Sequence, residues 1–372
     1  MSRFETELSK RISELSETPS RALLMLRLAA YRARKGDIND ARQIIARLRD
    51  LYELEGHAQL MAYINFAEAL CEFFDVGARP ALLKLKRSQA LCVGCPAEDD
   101  LPALVAAWAA SLYRILGDWD GLQAATEVLL VGKYAVSGEV LCRFRLVFAD
   151  CLQEIQEYEQ AEVWYRSTRR ESLAIGDETV LGALLYNKSA IRVFNVRVDE
   201  VLGKSSDINR CGIALEAASA ENLALYAHDV SMPWVFDMLA GQLMLMRGDF
   251  EGALGRLDSE KARDLSRRWP GVDLVRRADL LRAKAALGMF TSTQILTELR
   301  ELKKHCQGGS YFGDCAIAAY SLALSVSDID QEEFRDLRKI AGDAATSFCA
   351  HSARQRVVVN PLVHKLISVY GD

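Results

Sequence analysis

Apolar residues recur along this chain at helical spacing and are broken at near-regular intervals by short polar turns. Before Gly36, the residues Leu24, Leu28 and Tyr31 fall on one stripe, the spacing of an amphipathic helix. The turn that follows reads KGDINDA at Lys35–Ala41. It returns as LGDWDGL at Leu116–Leu122, RGDFEGA at Arg247–Ala253 and LGMFTST at Leu287–Thr293, with a looser copy, QEYEQA, at Gln156–Ala161. Each copy has a turn residue, then a large apolar residue, then a small or apolar one three places later. Gly at the helix end supplies the left-handed cap without a Cβ penalty. Asp beside it caps the next helix. The large residue (Ile38, Trp119, Tyr158, Phe250, Phe290) fills the wedge between two helices, and the small one (Ala41, Ala161, Ala253) lets them approach. The pattern predicts antiparallel helix hairpins.

The small-residue positions fall at 41, 81, 122, 161, about 201, 253 and 293, and an eighth unit centres on Asp328–Glu332. Positions 81 and 201 rest on weaker copies, GARPALLKL and VDEVLGKS. A unit of about 40 residues is two helices of four to five turns and two short loops. No such unit buries its apolar stripe alone, so neighbours must stack into a continuous core. The expectation is an all-α solenoid of about eight antiparallel helix pairs. It occupies residues 1–353, and 354–372 form a C-terminal capping tail.

Two places break the pattern. One interval is about 12 residues longer than the rest, and the extra length is placed within Ser205–Met232, ahead of Pro233. An elongated helix pair accounts for it, as does a bend or a partner-contacting insertion. In the tail, Val357–Val359 followed by Asn-Pro reads as extended, with a short helix after it. That tail is read as covering the last apolar face, with docking on a neighbouring molecule as the alternative.

Composition changes the picture little. Half of the 372 residues are apolar and 26% are charged, and only 7 are proline, which suits a long helical core. Net charge is −5, so a nucleic-acid partner is not expected. Local basic clusters, Arg166–Arg170 and Arg267, Arg268, Arg276 and Arg277, read as solvated helix faces before they read as phosphate-binding surface. The N-terminus has no apolar signal core. The longest apolar stretch, Ala103–Tyr113, is too short to span a bilayer, so the expectation is a cytoplasmic protein. Nine cysteines read as small buried residues rather than disulfides.

Candidate chemistry is sparse. Cys92 and Cys95 form a CxxC, but a structural zinc site needs four ligands. The other candidates, His305, Cys306 and Cys315, lie several repeats away. Cys349 and His351 are two apart and so do not face each other on a helix. Gly308–Gly313 lacks the lysine of a phosphate loop. Carboxylate pairs such as Glu159 and Glu162 are no different from solvated pairs elsewhere. No catalytic residue, metal or cofactor is assigned, and a non-enzyme is expected.

The GDF-x-x-A turn, with Leu28, Ala29 and Tyr31 upstream, resembles the tetratricopeptide signature. The 40-residue period resembles the longer-helix variants: the sensor superhelix of maltose-regulator-type transcription activators and the peptide-sensing repeats of Gram-positive regulators. The chain departs from the family in lacking its late proline, and neither end carries a DNA-binding helix-turn-helix. The resemblance implies a right-handed superhelix whose first helix in each pair lines the concave face. By position, Arg34, Tyr63, Phe66, Arg114, Arg143, Asp150, Glu154, Tyr186, Gln242 and Arg282 then face inward, with Phe66 and Tyr186 also readable as core. Arg and Tyr are the residue types of binding hot spots. The implied function is a scaffold or regulator that binds another protein or a peptide segment. A small-molecule or signal-peptide sensor, a secretion or assembly chaperone, and self-association through the terminal units or the tail stay open as alternatives.

Overall fold

The computed structural model describes residues 2–16, 18–52, 57–204, 210–226, 231, 234–263, 269–306 and 311–370. Among them there are eighteen α-helices and no strand. In chain order these are α1 Arg3–Glu14, α2 Pro19–Lys35, α3 Ile38–Tyr52, α4 Ala58–Asp75, α5 Ala78–Leu91 and α6 Leu101–Leu116. There follow α7 Trp119–Leu130, α8 Gly138–Glu154, α9 Tyr158–Ile175, α10 Glu178–Val201, α11 Arg210–Tyr226 and α12 Trp234–Met246. The last are α13 Phe250–Leu257, α14 Glu260–Arg263, α15 Pro270–Ala286, α16 Ser292–Cys306, α17 Phe312–Val326 and α18 Gln331–Tyr370. Leaving out α1 and the short α14, they form eight pairs, with α2 and α3 the first and α17 and α18 the last.

The turn chemistry is the one the sequence predicts. Gly36, Gly117, Gly248 and Gly288 close the first helix of their pairs with positive φ. Asp118 and Asp249 then cap the second helix, accepting hydrogen bonds from the Gly121 and Gly252 amides at 2.9 Å. The second helices begin at residues 38, 78, 119, 158, 210, 250, 292 and 331, a period of 39 to 42 residues broken by one interval of 52. Ala41, Ala81, Leu122, Ala161 and Ala253, each three residues into its helix, are fully buried.

Three expectations are corrected. Val201 ends α10 rather than opening a second helix, and part of the added length of that unit lies in α10, a 24-residue helix. Of the Ser205–Pro233 junction, α11 and Ser231 are described, and residues 205–209, 227–230, 232 and 233 lie outside the described residues. Thr293 is exposed, and Ile295 fills the core in its place because α16 starts at Ser292. Val357–Val359 is helical: α18 runs 40 residues without interruption and carries Pro361 inside it. Arg267 and Arg268, and residues 308–310 of the Gly308–Gly313 loop, lie outside the described residues.

The chain divides into two compact units. The first comprises Met1–Leu185, Asn222–Met232 and Gln355–Asp372, the second Tyr186–Glu221 and Pro233–Arg354. In the first, α4, α6 and α8 are buried along most of their length, which is why their sequences are apolar with little periodicity. The C-terminal part of α18 belongs to this unit. Leu366, Ile367 and Tyr370 meet Leu129, Leu141, Phe144 and Trp164, and the Tyr370 hydroxyl donates to the Leu129 carbonyl at 2.9 Å. In the second unit α15, α16, α17 and the first half of α18 share one core, including Leu281, Leu299, Leu322 and Leu337. No helix among the described residues is long and apolar enough to cross a membrane.

Candidate functional site

In the first unit the first helices of successive pairs pack side by side, α2 against α4 and α6 against α8. The row curls tightly enough for side chains of α2 to reach α8. This geometry brings Arg34 and Arg143 near one another, with Tyr63 one layer along.

Arg34 is held between two acids. Its guanidinium is 3% exposed, pairs with Asp177 at 2.8 Å and Glu139 at 3.2 Å, and lies over the Tyr31 ring at 5.0 Å. Burial works against its charge, but Asp177 and Glu139 outweigh burial and hold its pKa above the ordinary arginine value. Burial likewise opposes ionisation of Asp177, yet Arg34, a hydrogen bond from Thr179 and the nearby Arg143 keep its carboxyl below the usual range. For Glu139 burial wins over the arginines, and its pKa is raised. One layer along, Arg27 of α2 pairs with Asp100 at the N-cap of α6. Tyr63 of α4 donates its hydroxyl to Asp99 at 2.8 Å, and the Leu101 amide donates to the same oxygen at 3.0 Å.

Arg143 is different. It is 7% exposed, and its guanidinium lies 3.8 Å from the Trp108 ring centroid. Phe73 and Phe74 meet Trp108 edge-on at 6.2 and 6.4 Å. No described residue forms a hydrogen bond or ion pair with Arg143, and its Nε is sealed from solvent without a partner. Burial, with Arg34 adding like charge, pushes its pKa down to about 10. A desolvated cation–π contact is worth about 2 kcal/mol, whereas an uncompensated buried ion costs several kcal/mol. Trp108 therefore offsets only part of the cost of holding this cation.

A second cluster joins Arg114, Asp150 and Glu154. Arg114 binds Glu154 and lies 3.2 Å from Asp150, which accepts the Tyr165 hydroxyl at 2.9 Å. Asp150 is 2% exposed. From α18, Gln355 donates to Glu154 at 2.7 Å, and Arg356 donates to the Ile155 carbonyl at 2.6 Å. Gln355 and Arg356 hold the C-terminal helix on α8. Phe66 is core.

In the second unit, Tyr186 packs edge-on against Phe236 at 5.7 Å, and burial raises its pKa. Gln242 is partly buried on α12. Arg282 sits one turn beyond Asp279, which Arg197 grips bidentately at 2.6 and 2.7 Å while the Ser321 hydroxyl donates to it at 2.6 Å. Burial lowers the pKa of Arg282; Asp279 counters it, and Arg197 adds to it. Arg282 has no hydrogen bond or ion pair to a described residue.

The residues expected to face inward therefore resolve into two groups in the first unit and separate positions in the second. Sequence reasoning missed Arg27, Trp108, Glu139 and Asp177. Helical spacing held part of the signal: Arg27 is seven residues before Arg34, and Glu139 four before Arg143, so each pair shares a face. Asp177 follows Gly176 in a further Gly-Asp turn, where its carboxylate accepts the Thr179 amide and hydroxyl at 3.1 and 2.7 Å.

No group of three His, Cys, Asp or Glu side chains among the described residues could hold a metal. Cys92 and Cys95 close a single 3-10 turn in the first unit, while Cys306 and Cys315 are buried in the second. Burial raises the pKa of all four thiols, so none is activated as a nucleophile.

No protein-family model matches the sequence, and no curated protein matches it. Among solved structures, the chain is similar to a Rap protein complexed with competence and sporulation factor. The TM-score is 0.56 at 14% identity, over 97% of this chain and 92% of that one. At that identity the likeness is one of fold alone, an all-α helical repeat.

Proposed function

We propose that the protein is a non-catalytic binding module that holds an extended segment of another protein or a peptide against the inward face of its first helices. The observation that carries this reading is Arg143, a buried cation on the inward face of α8 that no described residue pairs with. It lies among aromatic and charged side chains contributed by three successive helix pairs, the multi-pair lining that an extended segment can follow. The similar Rap protein was solved with a bound factor, which agrees with this reading at the level of fold. Within it, the finer resemblance to the sensor superhelices of bacterial regulators makes the segment a signal and the protein its receiver, working in the cytoplasm.

The experiment is selection of a random peptide library on the immobilised full chain. We expect a family of short peptides whose retention falls at least tenfold in Arg143→Glu or in Arg282→Glu. No enrichment over a blank matrix, or retention unchanged in both variants, contradicts the reading.

A further inference from the structure

We propose that Cys92 and Cys95 are a redox modification site, a dithiol that closes reversibly to an intramolecular disulfide by exchange with a small disulfide such as oxidised glutathione. The proposal is independent of the binding reading above. It concerns the turn between α5 and α6 and a motif, CVGC, that the binding reading leaves unused.

Backbone geometry brings the pair together. Cys92 caps α5, its amide donating to the Gln89 and Ser88 carbonyls. The chain then makes a single 3-10 turn, closed by the Cys95 amide donating to the Cys92 carbonyl at 3.0 Å. A turn of this kind holds its first and fourth Cα atoms within about 7 Å. A disulfide spans about 4.4–6.8 Å between Cα atoms. Pro96 favours extended backbone at the residue before it, and Cys95 has it, with φ −71° and ψ 143°. The side chains meet as well, for the two thiols are in hydrogen-bond contact. Joining them needs no movement of one helix pair against another.

The surroundings decide which use of a dithiol fits. Metal binding requires thiolates. Burial, with the charge of Asp99 adding to it, holds both thiols in the protonated form. Among the described residues no third ligand completes a metal site. A disulfide carries no charge, so neither burial nor Asp99 opposes it. The same surroundings make exchange slow, because the thiolate is the attacking species. The pair therefore follows the thiol–disulfide balance around it and does not turn over a substrate.

The two thiols have different roles. Cys92 is 2% exposed, whereas Cys95 is half-buried. The turn between them is open: Val93 is exposed, and a Cβ on Gly94 would meet nothing within 4 Å. A small disulfide therefore reaches Cys95 first. The Cys95 thiolate attacks one of its sulfurs, the S–S bond breaks, and one small thiol leaves with the proton that Cys95 gave up. Cys92 then loses its proton and attacks the Cys95 sulfur, and the second small thiol leaves with that proton. Two protein thiols are oxidised and one small disulfide is reduced to two thiols, with no other reactant. Past Pro96 the chain is held in place. The Ala97 carbonyl accepts the Ala135 amide at 2.8 Å, Asp99 accepts from Gln59 at 2.7 Å and from Tyr63, and Asp100 pairs with Arg27. Oxidation is then confined to the turn and leaves α5 and α6 folded.

The test equilibrates the full native chain with mixtures of reduced and oxidised glutathione. Acid quenching, alkylation, digestion and mass spectrometry then read each cysteine. We expect the peptide holding Cys92 and Cys95 to lose two hydrogen atoms and escape alkylation in proportion to the oxidised fraction of glutathione. Dithiothreitol should restore it, and the helical circular-dichroism signal should stay constant throughout. In Cys92→Ser, Cys95 should accumulate a mixed disulfide with glutathione. In Cys95→Ser, Cys92 should take up at least tenfold less. The proposal is overturned if no linked peptide forms at any ratio, or if it forms only where the helical signal is lost. A native chain that stops at a glutathione adduct on Cys95, or that reacts at the exposed Cys349 alone, overturns it too. Equal modification of Cys92 and Cys95 in the two variants removes the assigned order of attack. The linked peptide is read in the native chain, so the central result does not depend on how well the variants fold.

Discussion

At the residue scale the repeat is set by backbone conformation as much as by burial. Five pairs close their first helix with a glycine at positive φ (Gly36, Gly117, Gly203, Gly248 and Gly288), but the fourth pair has Gln156 at φ 65° in the corresponding turn. A side chain in the left-handed region carries a strain of order 1 kcal/mol that glycine does not. Gln156 is exposed, so nothing is lost from the core when its side chain is removed. Gln156→Gly is expected to stabilise the protein by about 0.5–1 kcal/mol, seen as a higher urea midpoint with an unchanged slope. A lower midpoint would mean that this turn is not strained. The same turn shows why the unit was legible despite lacking Gly and Asp: Tyr158 and Ala161 keep their packing positions, and packing outlasts the cap residues. The inward charges were legible only in part. A helical stripe places Arg34 and Arg143 on the same side of their helices, but only the curl of the row brings them together. Trp108, in a run buried without a break from Leu101 to Leu112, carried no sequence mark to set it apart from the core around it.

At the element scale the sequence misled most where two local rules met tertiary packing. Val357–Val359 and the Asn360–Pro361 pair favour extended backbone, yet α18 stays helical to Tyr370. Packing supplies the reason: Val359, Leu362, Val363 and Leu366 form one buried stripe at helical spacing, and Pro361 points outward on the other side. The hydrogen bond lost at proline is outweighed by the burial of that stripe. The segment from Gln355 onward is then a tether to α8 and α9 through Glu154, Ile155 and Glu157. We expect a chain ending at Arg354 to lose at least about 3 kcal/mol of stability, the low end for burying two leucines alone. Chemical denaturation measures it. A truncated chain as stable as the full one would remove the capping role proposed for this segment.

At the scale of the whole molecule, eight helix pairs at a nearly constant period were readable because each turn repeats the same local chemistry. The one long interval was readable as a break, but not as a lengthened α10, since added helical turns carry no turn residue to mark them. The partition into two compact units left no composition shift, because both units are built from the same repeat. What we propose the fold adds to function, within the first unit, is a row of first helices that contribute side chains to one lining. The central claim is that a peptide segment lies along that row. Photocrosslinking of a library-selected peptide, followed by mass spectrometry of the labelled sites, tests it most directly. The account predicts adducts on the first helices, with α6 and α8 labelled around Trp108 and Arg143, and suppression of those adducts by excess unlabelled peptide. Specific adducts confined to the second helices α3, α5, α7 and α9 would contradict it.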